Sequence, residues 1–407
     1  MAQAKGDRLM PAPAGYGKYL YSDTYDEDRV VNSIGFLGDS ITASMAYPDP
    51  PTSTVMTSQG YFEWAQLYLG RPFQLAPGDM IGLGGWTLAS LVKAPQFMAL
   101  LAKRPRWIMQ QAGTNDLGAG ATTAQMIAAL RSFIEQVQGV GSVPVVSTIL
   151  PRSGGFALTA GQKLVQQEVN NFLVDVPVIY PGAVCIDWAA QLYSGEDGNA
   201  NPGYFQDGLH PNAVGARIMG KAMADAFTSL VTPIGPALTS SNGDPSNLLA
   251  NGLMTGNSAG LATPGWSAVA VGAPPTWTAT KVARTDGPGE WQRFAITVAG
   301  ELRLSQVVSA AGRQADRQYI AELSFRNASF TALTRFDLYA LINGGASYSM
   351  VNGGGSPDPG TFPASGILRT LPVIVPTGLA SVYFYVYMNF VGAVEITQCR
   401  IRAVTLS

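Results

Sequence analysis

The feature that most constrains this chain is a change of hydrophobic period part-way along it. From Ser33 to about Val231, short apolar runs of strand type alternate with segments of helical period; beyond residue 246 only strand patterns remain. The apolar runs are Ile34 to Leu37, Trp107 to Gln110, Val143 to Leu150 and Val184 to Trp188, with a weaker one at Phe73 to Leu75. Helical spacing occupies Tyr61 to Leu69, then Met126, Ile127, Leu130, Phe133, Ile134 and Val137 behind Thr122 and Thr123, and later Val214, Ile218, Met219, Met223 and Phe227 behind Pro211. Strands that alternate with helices predict a parallel sheet covered on both faces, with ligands at the carboxyl ends of the strands.

Four stretches follow. Residues 1–30 are polar and Pro/Gly/Tyr-containing, ending in the acidic run Asp23 to Asp28, and read as an N-terminal arm. Residues 31–231 are the α/β domain. Residues 232–246 have a linker's composition, with Pro233, Pro236, Gly243 and Pro245 and no period. Residues 247–407 read as an all-β sandwich, with Phe294 to Val298, Leu302 to Val308, Tyr319 to Phe325, Phe336 to Ile342 and Val382 to Phe390 as strands.

Charge narrows the partners. Lys plus Arg number 25 against 27 Asp plus Glu, with no basic block, so neither a nucleic acid nor an anionic membrane surface has an electrostatic footprint to bind. No run of about 18 uncharged apolar residues occurs, and the first thirty residues lack a signal-type apolar core, so neither membrane spanning nor signal-directed secretion is expected. Cys185 and Cys399 fall in different predicted domains and have no zinc-ligand spacing; both are expected to be small buried apolar residues. Chemistry that needs an imidazole has one candidate, His210.

At the end of the first predicted strand stands Gly38-Asp39-Ser40-Ile41, where a turn can present the Ser40 hydroxyl at the sheet's carboxyl edge. In Asp207-Gly208-Leu209-His210-Pro211 an acid precedes the histidine by three residues, a spacing that lets the carboxylate reach Nδ1 and leaves Nε2 free to take a hydroxyl proton. Gly113-Thr114-Asn115-Asp116 and Gly82-Leu83-Gly84-Gly85-Trp86-Thr87 each follow a predicted strand; they offer hydrogen-bond donors to the same crevice, or else a turn glycine and a capping asparagine. Gly256-Asn257-Ser258-Ala259-Gly260 matches the G-x-S-x-G pattern but lies among β patterns after the only histidine, which the nucleophile elbow of that pattern does not allow.

In this order the four blocks resemble the SGNH hydrolases, also called GDSL esterases. The resemblance implies a flavodoxin-like parallel-sheet domain and acyl transfer through a serine, with neither metal nor organic cofactor. It makes Ser40 the nucleophile, His210 the general base and then acid, and Asp207 its orienting partner. Ser40 N–H, Gly85 N–H and the Asn115 amide would form the oxyanion hole, with Asp39 and Asp116 organising the two loops. At Trp86 the chain departs from the family, whose members usually carry a polar residue there.

The β region, from Asn247-Leu248-Leu249-Ala250-Asn251-Gly252 to the closing Val394 to Ile401, resembles jelly-roll carbohydrate-binding modules found on polysaccharide-active enzymes and phage tail proteins. In Val382 to Met388, Tyr383, Tyr385 and Tyr387 alternate onto one face, either to stack on sugars or to pack against another layer or subunit. Together the resemblances imply an esterase removing acyl groups, most simply O-acetyl, from a polysaccharide, in a virion tail or outside the cell, or otherwise in the cytoplasm. The rival expectations are a small-ester or lipid esterase and an inactive glycan receptor-binding tail protein. Homo-oligomerisation is left open.

Overall fold

The computed structural model describes residues 32–49, 53–56, 59–75, 78–195, 198–232, 238–256, 260–261, 265–308, 318–342, 345–351, 362–370, 373–374 and 381–404. The expected N-terminal arm lies outside them. Five parallel strands, β1 (Ile34–Gly38), β4 (Met80–Gly82), β5 (Trp107–Gln111), β6 (Val143–Ser147) and β7 (Val184–Ile186), form one sheet in the order β4-β1-β5-β6-β7. The chain starts in the interior of this sheet and turns to opposite sides, which is the flavodoxin-like order expected. The strand order reverses beside β1, so the loops that follow β1 and β5 open into one crevice.

Successive side chains of β1 point to opposite faces and feed two cores. Leu37 packs with Phe97, Leu130 and Phe133 on one side, and Phe36 with Tyr61, Phe62, Trp188 and Phe227 on the other. The covering helices are α1 (Ser40–Ala43), α2 (Tyr61–Leu69), α3 (Leu88–Leu91), α4 (Pro95–Lys103), α5 (Thr114–Gly118), α6 (Thr123–Gly139), α7 (Ala160–Ile179), α8 (Ala189–Leu192) and α9 (Ala213–Phe227).

One local expectation is corrected. The edge strand is Met80–Gly82, whereas Phe73–Leu75 contributes only a bridge between Gln74 and Ser33, because the Phe73 ring is taken into the core against Trp107 and Phe227. The longest helix, α7, which the helical spacings named above do not include, buries Val169, Leu173 and Val176 together with two amides, Gln166 and Asn170. The amides donate to the main-chain carbonyls of Ile149 and Leu150, so the buried side of this helix carries a hydrogen-bonding task beside its apolar one.

The second half is antiparallel and sandwich-like, as expected. Its strands are β8 (Ser267–Val271), β9 (Thr276–Ala283), β10 (Glu290–Val298), β11 (Glu301–Val308), β12 (Gln318–Ile342), β13 (Gly345–Val351), β14 (Ser365–Arg369), β15 (Val373–Ile374) and β16 (Val382–Val404). The runs Tyr319 to Phe325 and Phe336 to Ile342 are two ends of the single strand β12, and Val382 to Phe390 continues through Val394 to Ile401 as β16. These two pair along their whole length through four register shifts, which bend both around one apolar core. Val382, Phe384, Val386, Met388 and Phe390 face that core, and Tyr383, Tyr385 and Tyr387 face outward.

The halves are joined by buried contacts. A hairpin of β2 (Ala46–Asp49) and β3 (Ser53–Met56), which sequence pattern did not disclose, leaves the first half and pairs with β13. Trp64 and Leu67 of α2 enter the sandwich core, with the Trp64 ring 6.0 Å from that of Phe362. Arg71 makes a buried ion pair with Glu63 and donates to the Ile367 carbonyl. Residues of the 232–246 stretch are tied down as well: Gln398 donates to the Thr239 carbonyl at 2.9 Å and Arg400 approaches Asp244 at 3.9 Å. Cys185 lies in β7 and is only half-buried, and Cys399 is buried in the sandwich, so the expectation of two buried cysteines holds fully for one. Among the described residues no helix is long and apolar enough to cross a membrane.

Candidate active site

The turn after β1 is made possible by Gly38, where an added Cβ would lie 2.0 Å from Thr42 Oγ1 and 2.4 Å from the Gln111 carbonyl oxygen. Asp39 then caps α1 by accepting a hydrogen bond from the Ile41 amide at 2.9 Å, which fixes Ser40 as the first helical residue. The sequence Gly-Asp-Ser is therefore a local device: one residue permits the close turn, the next stops it, and the third is presented at the sheet edge.

The histidine comes from the far end of the domain, on the loop before α9. Asp207 accepts from the amides of Leu209 at 2.9 Å and His210 at 2.7 Å through one oxygen, and from His210 Nδ1 at 2.7 Å through the other. His210 Nε2 then accepts from Ser40 Oγ at 2.9 Å, across 170 positions of sequence. Burial pushes the Asp207 carboxyl upward, but the hydrogen bonds from His210 and Leu209 outweigh it and hold the group below its ordinary range. The acid is thus ionised and holds the imidazole in the tautomer whose Nε2 can take a proton from the serine hydroxyl.

Donors approach from two further loops. An added Cβ on Gly84 would stand 3.8 Å from Ser40 Cβ, so this loop passes directly beside the serine, and Gly85 follows at φ +79° with open space around it. Asn115 Nδ2 donates to the Trp86 carbonyl at 3.0 Å, which spends one of the two amide N–H groups and leaves the other. Asp116 accepts from the Leu88 amide at 2.9 Å, stitching the loop after β4 to the loop after β5. All the residues singled out around the serine, Ser40, Gly85, Asn115, Asp207 and His210, therefore sit on four loops at one sheet edge.

Sequence reasoning missed the loop after β6. Ser153 donates its amide to the Gly208 carbonyl at 2.9 Å, and Arg152 Nη1 donates to the Thr114 carbonyl at 3.2 Å, so this loop braces both the histidine loop and the asparagine loop. The signal was present as an arginine and paired glycines directly behind an apolar run. Gly208, at φ +86°, has the Ser153 carbonyl oxygen 2.5 Å from where a Cβ would stand, so only glycine fits between acid and histidine.

Beneath the serine lies a buried carboxyl. Burial raises Asp39 from 3.8 to about 7, against the Ile41 hydrogen bond and the charge of His210, and its Oδ2 is buried without a partner. A folded-state pKa raised in this way means that the unfolded chain ionises first, so the native state loses stability as pH rises between about 4 and about 7. Asp39→Asn keeps the capping oxygen and removes the titration. We expect it to gain stability over the wild type at about pH 8 compared with about pH 4.5, read from urea midpoints; an equal difference at both pH values would show that the carboxyl does not titrate with folding.

Tyr383, Tyr385 and Tyr387 belong to another region, the outer face of the sandwich. Ring centroids are 5.4 Å apart for Tyr383 and Tyr385 and 6.0 Å apart for Tyr385 and Tyr387, with Arg303 over Tyr385 and Arg335 over Tyr387. Ser258 of the G-x-S-x-G match lies outside the described residues.

Residues 36–218 match the GDSL-like Lipase/Acylhydrolase family. No curated protein matches the chain. Among solved structures, a member of the lipolytic protein G-D-S-L family from Veillonella parvula is 22% identical, covering 49% of this chain and 99% of that one with a TM-score of 0.39. A carbohydrate esterase family 3 protein from Talaromyces cellulolyticus is 16% identical over 48% of this chain and 95% of that one, TM-score 0.35. The enzymatically active domain of bacteriophage CBA120 tailspike protein 4 is 15% identical over 40% of this chain and 22% of that one, TM-score 0.29. The family match covers the strands and loops that carry the serine, the asparagine and the histidine, and residues 36–218 are accordingly a GDSL-type acylhydrolase domain, an ester hydrolase of the SGNH class.

Proposed function

We propose that the chain removes acyl groups, most simply O-acetyl, from a polysaccharide by two-step acyl transfer at Ser40, as part of a phage tail or another extracellular assembly. The observation that carries the chemistry is the unbroken relay from Asp207 through His210 to Ser40, at 2.7 and 2.9 Å. Ser40 Oγ attacks the ester carbonyl as its proton passes to His210 Nε2. The negative oxygen that develops is received by the Ser40 and Gly85 N–H groups and the free Asn115 N–H, donors typically worth a few kcal/mol each in the transition state. His210 returns the proton to the departing sugar oxygen, leaving acyl-Ser40; water, deprotonated by His210, then releases the acid and restores the serine.

The sugar part of the reading is supported by the outward row of Tyr383, Tyr385 and Tyr387 and the arginines stacked on it, a half-buried face built from flat amphipathic rings. The test is acetate release from a panel of acetylated bacterial polysaccharides and from p-nitrophenyl acetate. Turnover of the small ester alone favours the general-esterase reading, and turnover of neither favours the receptor-binding one. We expect Tyr385→Ala to lower kcat/KM on the polysaccharide by about threefold to tenfold relative to p-nitrophenyl acetate; an unchanged ratio removes the tyrosine row from substrate capture.

A further inference from the structure

Among the described side chains, Trp86 and Phe156 are the only exposed aromatic residues, at 38% and 40%, and both stand on loops that hold the site together. Every other Phe, Tyr or Trp whose side chain is described is buried or half-buried. The Trp86 carbonyl receives the Asn115 amide, and Trp86 directly follows Gly85. Phe156 ends a short 3-10 turn, Gly154–Phe156, whose preceding residue, Ser153, bonds the Gly208 carbonyl between Asp207 and His210. The Arg152 guanidinium lies 5.8 Å from the Phe156 ring and reaches to the Thr114 carbonyl.

The sheet order places the loops that carry these two rings on opposite sides of the loop that carries the serine. Trp86 follows β4 and Phe156 follows β6, while Ser40 and Asn115 follow β1 and β5 between them. Three inter-strand spacings of about 4.8 Å put the two loops roughly 14 Å apart, far wider than an acetyl group needs. The surface between them is glycine and polar: Gly84, Gly85, Thr87, Asn115, Ser153 and Asp207 are exposed or half-exposed there. Such a floor does not shelter an alkyl chain, but two aromatic walls over polar ground suit sugar rings, whose faces are C–H-rich and whose edges carry hydroxyls.

We infer that Trp86 and Phe156 are the specificity walls of the site, holding neighbouring sugar rings of an acylated polysaccharide so that one ester carbonyl meets Ser40. This rests on the polysaccharide reading above and names the residues that deliver it. Neither wall touches the reacting atoms; each acts by positioning.

The test compares wild type, Trp86→Ala and Phe156→Ala on O-acetylated xylan, p-nitrophenyl acetate and p-nitrophenyl palmitate. In each variant the ratio of kcat/KM on xylan to that on p-nitrophenyl acetate is expected to fall by about tenfold or more, chiefly through KM. Trp86→Phe and Phe156→Tyr should restore the ratio to within about threefold. In the Ser40→Ala background, the same truncations should weaken xylan binding in calorimetry by a similar factor. Equal losses on xylan and on p-nitrophenyl acetate would overturn the inference in favour of loop support. A loss confined to p-nitrophenyl palmitate would overturn it in favour of acyl-chain binding. A wild type that cleaves p-nitrophenyl acetate and no acetylated polysaccharide would defeat the parent reading, a result visible before any wall variant is made.

Discussion

Ser40→Ala is expected to lower kcat for p-nitrophenyl acetate by about ten-thousandfold or more, while the thermal midpoint hardly moves. In the proposed mechanism the hydroxyl is the atom that forms the covalent bond, and no neighbouring group replaces it, so the loss would be of the whole acyl-enzyme route. Its one side-chain hydrogen bond runs to His210 Nε2, and the residue is only half-buried, so folding stability should shift by no more than about 0.5 kcal/mol. His210→Ala should match it, and the double variant should be scarcely worse than either, because serine and histidine act as a unit. Residual activity of Ser40→Ala near that of the wild type would end the assignment.

The second large effect is on the fold. Gly392 sits at φ +130° where β16 crosses β12, and a Cβ there would lie 1.6 Å from the Ser329 carbonyl oxygen, in the stretch where the pairing shifts register. Gly392→Val combines a backbone conformation closed to branched residues with a clash against main chain that cannot move without breaking the ladder. The expected cost is at least about 3 kcal/mol, seen as insoluble expression or a sharply lowered unfolding midpoint. Gly182→Ala is the control: φ is +90° with nothing within 4 Å, so only the backbone term of about 1 kcal/mol applies. Because Trp64 and Leu67 of α2 share the sandwich core, esterase activity of the Gly392 variant should be lost in the same transition as the sandwich. A melting curve superimposable on that of the wild type would mean the two strands do not cross as described.

Much of the site was legible because its devices are local. Gly38-Asp39-Ser40 is a turn, a cap and a presented hydroxyl in three consecutive residues, and Asp207 reaches His210 within one loop. Asp39 and Asp116 also fit their expected task, one capping α1 and the other accepting from Leu88. The bracing loop at Arg152 and Ser153 was not legible, since its partners Thr114 and Gly208 are distant in sequence and each bond is to main chain, which carries no residue signature.

By itself, then, the sequence determined the alternation of strands and helices up to residue 231, the antiparallel strands beyond it, and the four blocks proposed to carry the chemistry, because periodicity and turn chemistry act between near neighbours. Tertiary structure alone decided that α7 would bury amides, that Phe73 would enter the core instead of the sheet, and that residues 46–56 would pair with the second half. It alone brought Ser40 to His210 and put the loops of Trp86 and Phe156 after strands on either side of β1 and β5. Those outcomes depend on which surfaces meet when the chain closes on itself, and no local pattern encodes a contact between residues more than a hundred positions apart.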